Sequence, residues 1–91
     1  MSYLDKVENY IIEQMEREPS VEYLGDFKFE NNNYYFIVTI KEGDFTRFNS
    51  NHTSVEFIEI LMGMAFVQIR MHQNTLDFLI GNKLNIEDVP F

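Results

Sequence analysis

A two-layer α+β fold is predicted, in the order helix, antiparallel β-hairpin or three-stranded meander, long C-terminal helix (α-β-β-(β)-α). Three patterns predict it. Apolar residues recur with a helical period over residues 3–18, with a period of two over 21–40, and in a densely apolar run over 54–80. No linker, low-complexity stretch or repeat divides the 91 residues, so they read as a single domain, 1–91.

The first helix is announced by Ser2, with Asp5 standing three residues on, where a capping box usually carries Glu or Gln. On a helical wheel Tyr3, Leu4, Val7, Tyr10, Ile11 and Met15 share one side, and Asp5, Asn9, Glu13 and Glu16 the other. One face is core and the other solvated carboxylate. Pro19 ends the element, since proline has no N–H to continue a helix.

From Val21 the period is two: Val21, Tyr23, Gly25, Phe27 and Phe29 alternate with Glu22, Leu24, Asp26, Lys28 and Glu30, and "YYFIVTIK" follows "NNN". Pairing Phe29 with Tyr34, Phe27 with Phe36 and Tyr23 with Ile40 keeps both apolar sets on one face and leaves Asn31 and Asn32 as a two-residue turn. Asn tolerates the positive φ that such a turn demands. Glu42-Gly43-Asp44 signals a further turn before "FTRFN" (45–49), the candidate third strand.

Thr53 and Glu56 match a second capping box, which starts the long helix near Ser54 and lets it run to Ile80, with Gly81 as its stop. Glu56, Glu59, Gly63, Arg70, Asn74 and Asp77 then form one narrow strip, and nearly all the rest of the circumference is apolar. A membrane span is excluded, because the apolar run Ile60 to Val67 is far shorter than the roughly 20 residues needed. A helix of this length, about 40 Å, outreaches strands of about 25 Å. Either it breaks near His72 to Asn74 or its overhang packs on another molecule. Self-association through Ile60, Met64, Phe66, Val67, Met71 and Phe78 accounts for both length and apolarity, so a homodimer is expected, with a foreign protein as the other occupant. In the tail, Leu84 and Ile86 alternate and read as a short edge strand or a segment that packs down.

A formal net charge of −8 repels phosphate backbones and anionic membranes, which argues against direct nucleic-acid or membrane binding and favours basic protein partners. The absence of Cys removes disulfides and thiolate metal sites. No signal peptide is read at the N-terminus, so a cytoplasmic location is expected and the sequon Asn51-His52-Thr53 is taken as incidental. Abundant Phe, Tyr, Ile and Asn beside a single Ala suggest an AT-rich genome, bacterial or phage.

Gln68, His72 and Thr75 would form a polar row opposite the charged strip of the long helix. It reads as a binding or pH-sensitive site, or else as a hydrogen-bonded ladder or a helix break. His52, Glu56 and Glu59 have the chemistry of divalent-metal ligands, but Glu56 is already used as a cap and first-turn acids complement the helix dipole. No metal or cofactor is therefore expected. With no nucleophile elbow or P-loop, a non-catalytic protein is expected. The strand aromatics lack the basic groove of a base-stacking sheet, leaving Tyr35 and Ile37 as a contact surface on the non-core face.

The function these features predict is that of a small acidic protein-binding module. In its sharper form it is a phage or mobile-element inhibitor that occupies the basic surface of a nucleic-acid-handling protein through Asp5, Glu13, Glu16, Glu18 and Glu22. The alternative is a homodimeric adaptor or chaperone-like protein that assembles through the apolar helix and holds a client with Phe45, Phe48 and the terminal "DVPF".

Overall fold

The computed structural model describes residues 2–41 and 53–86. Its elements are α1 (Tyr3–Glu16), β1 (Val21–Glu30), β2 (Asn33–Lys41), β3 (Thr53–Leu61), β4 (Met64–His72) and α2 (Gln73–Gly81). The strands form one sheet in the order β1-β2-β4-β3, with every neighbouring pair antiparallel. The α+β class and the N-terminal helix are as expected. The long C-terminal helix is not formed, and the described sheet has four strands where two or three were expected.

At α1 the capping box is complete: the Asp5 amide donates to Ser2 Oγ (3.2 Å) and the Ser2 amide to Asp5 Oδ2 (3.3 Å). Val7, Ile11 and Met15, four residues apart, are buried on one face. Tyr3 and Leu4, assigned to that face by the wheel, stay about half exposed, and the Tyr3 hydroxyl donates to Asp77 of α2.

The first hairpin turns at Asn31 (φ 51°) and Asn32 (φ 66°), and Phe29 pairs with Tyr34 as the apolar pattern requires. Further along, the pairing departs from expectation: Tyr23 faces Val38 and Val21 faces Ile40. Two irregularities cause the slip, at Leu24 and across Asp26 and Phe27, with Gly25 (φ 101°) and Asp26 (φ 53°) in the positive-φ region. Phe27 is absorbed in the second bulge and stacks on Tyr34, with ring centroids 5.8 Å apart.

Residues 53–72, read as helix, form the second hairpin instead. Met62 (φ 53°) and Gly63 (φ 80°) make its two-residue turn, the backbone of a type I′ connection. Ala65, Val67, Ile69 and Met71 alternate inward and are fully buried, while Met64, Phe66, Gln68 and Arg70 point to the other side of the sheet. Helix returns only at Gln73, after His72, whose Nδ1 accepts the Asn74 amide (3.0 Å) as the N-cap of α2. The break weighed at His72 to Asn74 is therefore where strand becomes helix.

Both helices lie on one face of the sheet. Val7, Ile11, Met15, Leu76 and Leu79 pack there on the inward columns of the two central strands, Tyr34, Phe36, Val38 and Ile40 of β2 and their β4 neighbours. The described part of the tail, to Ile86, packs down and forms no strand: Gln14 donates to Asn85 Oδ1 (3.2 Å) and accepts the Ile86 amide (3.0 Å), while Leu84 and Ile86 rest on the core. The candidate third strand at 45–49 and the contacts proposed for Phe45, Phe48 and the terminal "DVPF" lie outside the described residues.

Candidate functional site

β3 and β1 are the two edges of the described sheet, and they are unlike. β1 carries two bulges and a charged outer row of Glu22, Lys28 and Glu30, features that blunt an edge against further pairing. β3 is nine residues long, has one irregularity at Ile58, and contains no Lys or Arg. On the side away from β4, one row of its backbone N–H and C=O groups meets no other strand among the described residues.

The side chains of β3 divide between the faces. Thr53, Val55, Phe57 and Ile60 stand opposite the inward residues Met71, Ile69, Val67 and Ala65, so they belong to the helix-bearing face. Ser54, Glu56, Glu59 and Leu61 stand opposite Arg70, Gln68, Phe66 and Met64, on the outer face. The helices pack chiefly on β1, on β4 and on each other, and leave the far half of β3 exposed. Phe57 (50%), Ile58 (48%), Ile60 (47%), Leu61 (55%) and Met62 (95%) are consequently the main exposed apolar cluster, whereas the facing β4 column is sealed.

Beside β3 on the outer face lies an open depression of about 310 Å³ bordered by Tyr35, Ser54, Val55, Glu56, Gln68 and Arg70. Arg70 donates to Ser54 Oγ (3.0 Å), and the Lys28 ammonium sits 5.3 Å from the centre of the Tyr35 ring. These four residues form a row across the sheet, Lys28, Tyr35, Arg70, Ser54.

The acidic set assigned to partner binding is not gathered into one surface. Glu13 and Glu16 are exposed on α1 and Asp5 is engaged in its cap. Glu18 follows the helix, and Glu22 stands opposite Thr39 on the sheet face away from α1. The apolar set is also divided. Val67 and Met71 are core, Met64 and Phe66 lie half-buried on the outer face, Ile60 is on the β3 edge, and Phe78 is exposed on α2. Gln68, His72 and Thr75 make no row: Gln68 borders the depression, His72 caps α2, and Thr75 lies within α2. Glu56 and Glu59 share the outer face of β3, and His52 lies outside the described residues. Among the described residues no three His, Asp or Glu side chains group to hold a metal ion, and no helix is long and apolar enough to cross a membrane.

The β3 edge was missed by helical reading, although its signal was present: β-branched Val55, Ile58 and Ile60 with Phe57 make a strand-favouring run ending at Gly63. No protein-family model, curated protein or solved structure matches this chain.

Proposed function

We propose that this chain is a small, non-catalytic protein-binding module that captures its partner by accepting an added strand along β3. One observation carries the reading: an edge with no strand partner among the described residues and exposed apolar side chains, from Phe57 to Met62, coincide on the same strand. In strand addition the main-chain hydrogen bonds give affinity and alternate side chains give specificity. The charge of −8 directs the module to a basic protein, and the exposed surface of a nucleic-acid-handling protein meets that description. A phage or mobile-element inhibitor is the biological form this proposal favours. Glu13 and Glu16 then serve to steer the encounter, and β3 makes the contact. The alternative, a homodimeric adaptor or chaperone-like protein, now needs the same edge for its assembly.

Photo-crosslinking in the native cell tests the site, with a photoreactive residue in place of Leu61, on the exposed half of β3, in an otherwise wild-type chain and in each variant. The expected result is a partner that is captured by the wild type, lost in the Phe57→Lys/Ile60→Lys variant and retained by Glu13→Lys/Glu16→Lys. The opposite pattern would move the contact to the acidic face of α1.

A further inference from the structure

Building on strand addition at β3, we infer that the strand's occupant is an extended segment of a foreign protein in which apolar and basic side chains alternate. A second copy of this chain does not meet the requirement. An added strand must satisfy both faces of β3 at once. Toward the helices it meets Val55, Phe57 and Ile60, so residues pointing that way extend the buried layer only if they are apolar. Toward the outer face it meets Glu56 and Glu59. Directly opposed residues of opposite charge stabilise a strand pair, and like charges destabilise it. Basic residues at alternate positions are therefore required. Among the described residues Arg70 is the cation nearest this edge, and it is engaged with Ser54 at the Thr53 end, away from the two carboxylates farther along.

Space for the basic side chains is already present. Glu56 borders the depression on the outer face, which leaves room for a Lys or Arg stem to lie across Gln68 with its charge at the carboxylate.

Self-pairing along the full strand fails on the same grounds; the offset register that sets Phe57 opposite Ile60 escapes the clash by placing Glu56 against Leu61, but pairs only residues 56–61. An antiparallel copy centred between Phe57 and Ile58 matches Val55 with Ile60 but sets Glu56 against Glu59 twice, with no Lys or Arg on β3 to relieve it. Shifting the register by one residue puts Glu59 opposite Val55 and turns an acid toward the apolar side. Each copy also brings a net charge of −8.

Fluorescence anisotropy of the full chain with short, capped, labelled peptides decides the matter. The probes are an alternating Lys-Val peptide, an alternating Glu-Val peptide, a peptide of the β3 sequence itself, and a block peptide with all Lys before all Val. The alternating Lys-Val peptide is expected to bind about tenfold tighter than the block peptide, with affinity falling steeply as salt rises. Glu56→Lys/Glu59→Lys is expected to reverse the preference toward Glu-Val by a similar factor, and Phe57→Lys/Ile60→Lys to weaken every peptide. All these positions are exposed, and circular dichroism verifies that the variants fold. If the β3 peptide or Glu-Val binds the wild type as well as Lys-Val does, or if the glutamate reversal changes nothing, the basic occupant is refuted while strand addition stands. If no peptide binds, strand addition is refuted as well; an own-chain segment seated on the edge gives that result.

Discussion

Thr39 lies on the outer face of β2, opposite Glu22 and Phe66, almost fully buried, and its Oγ1 has no hydrogen-bond partner among the described residues. A buried, unpaired hydroxyl costs about 1–3 kcal/mol, and Val matches its shape without it. Thr39→Val is therefore expected to stabilise the fold by about 1 kcal/mol, raising Tm by roughly 4–8 °C in calorimetry. A lowered Tm would show that the hydroxyl is satisfied. The tyrosines present the opposite case. The Tyr23 hydroxyl donates to Glu8 (2.8 Å) and Tyr3 to Asp77. The bond to Asp77, with burial and charge adding, pushes the Tyr3 hydroxyl up to about 12. Burial first, then the Glu8 bond, raises Tyr23 further, and burial followed by the Asp77 charge raises Tyr34. Because the fold holds each phenol neutral while the unfolded chain ionises near 10, their contributions are complete below pH 10; that of Tyr3 is lost as pH rises through about 12, and those of Tyr23 and Tyr34 fall away in the same direction. Tyr23→Phe should lose about 1 kcal/mol near neutrality, where the bond is intact, and decline less steeply than wild type above pH 10. Urea unfolding across that range measures both slopes, and parallel curves would exclude Tyr23 as a source of alkaline lability.

Among the elements, those specified by local chemistry were legible and the hairpin specified by partners across the sheet was not. Ser2 with Asp5, Pro19, and Asn31-Asn32 each act within a few residues, so α1 and the first turn follow from them directly. The bulges of β1 depend on how Leu24 and Phe27 meet β2, and no alternation rule supplies that. For 53–72, Thr53 and Glu56 imitate a capping box, and apolar Met64 and Phe66 on the outer face hide the alternation of Ala65, Val67, Ile69 and Met71. A wheel therefore reads apolar surface all round, which is what a strand apolar on both faces also produces. The candidate edge is hidden with it: a helical reading places Ile60 on an apolar helix surface and gives Phe57 no part. The turn that separates the readings is testable. Met62 holds φ 53° with a side chain that touches almost nothing, a conformation that Asn adopts at lower cost. Met62→Asn is expected to raise stability by about 0.5–1 kcal/mol, and Gly63→Val, at φ 80°, to lower it by at least about 1 kcal/mol. Within a helix the first change would be mildly unfavourable and the second mildly favourable, the opposite signs, so paired thermal melts distinguish the hairpin from the helix.

Between whole molecules, the apolar edge of β3 favours association and the net charge of −8 opposes it. Ionic strength separates the two, because screening shortens the reach of charge from about 30 Å at 0.01 M to about 3 Å at 1 M and leaves apolar burial intact. The wild type is expected to scatter light as a monomer at low salt over a wide concentration range, and to associate weakly at high salt. Phe57→Lys/Ile60→Lys should stay monomeric at both. Charge placement gives the stricter test. In the antiparallel register that matches Val55 with Ile60, Glu56→Lys faces Glu59 of the second copy at both ends of the pair, so one substitution makes β3 self-complementary. This variant should form a dimer at low salt that weakens as salt is added, the reverse of the wild-type trend. A wild-type dimer at low salt would mean that opposed Glu56 and Glu59 do not control pairing, and would give the edge to a second copy. A monomer that a single lysine converts into a dimer would mean that β3 is competent to pair and that its two glutamates select the strand it accepts.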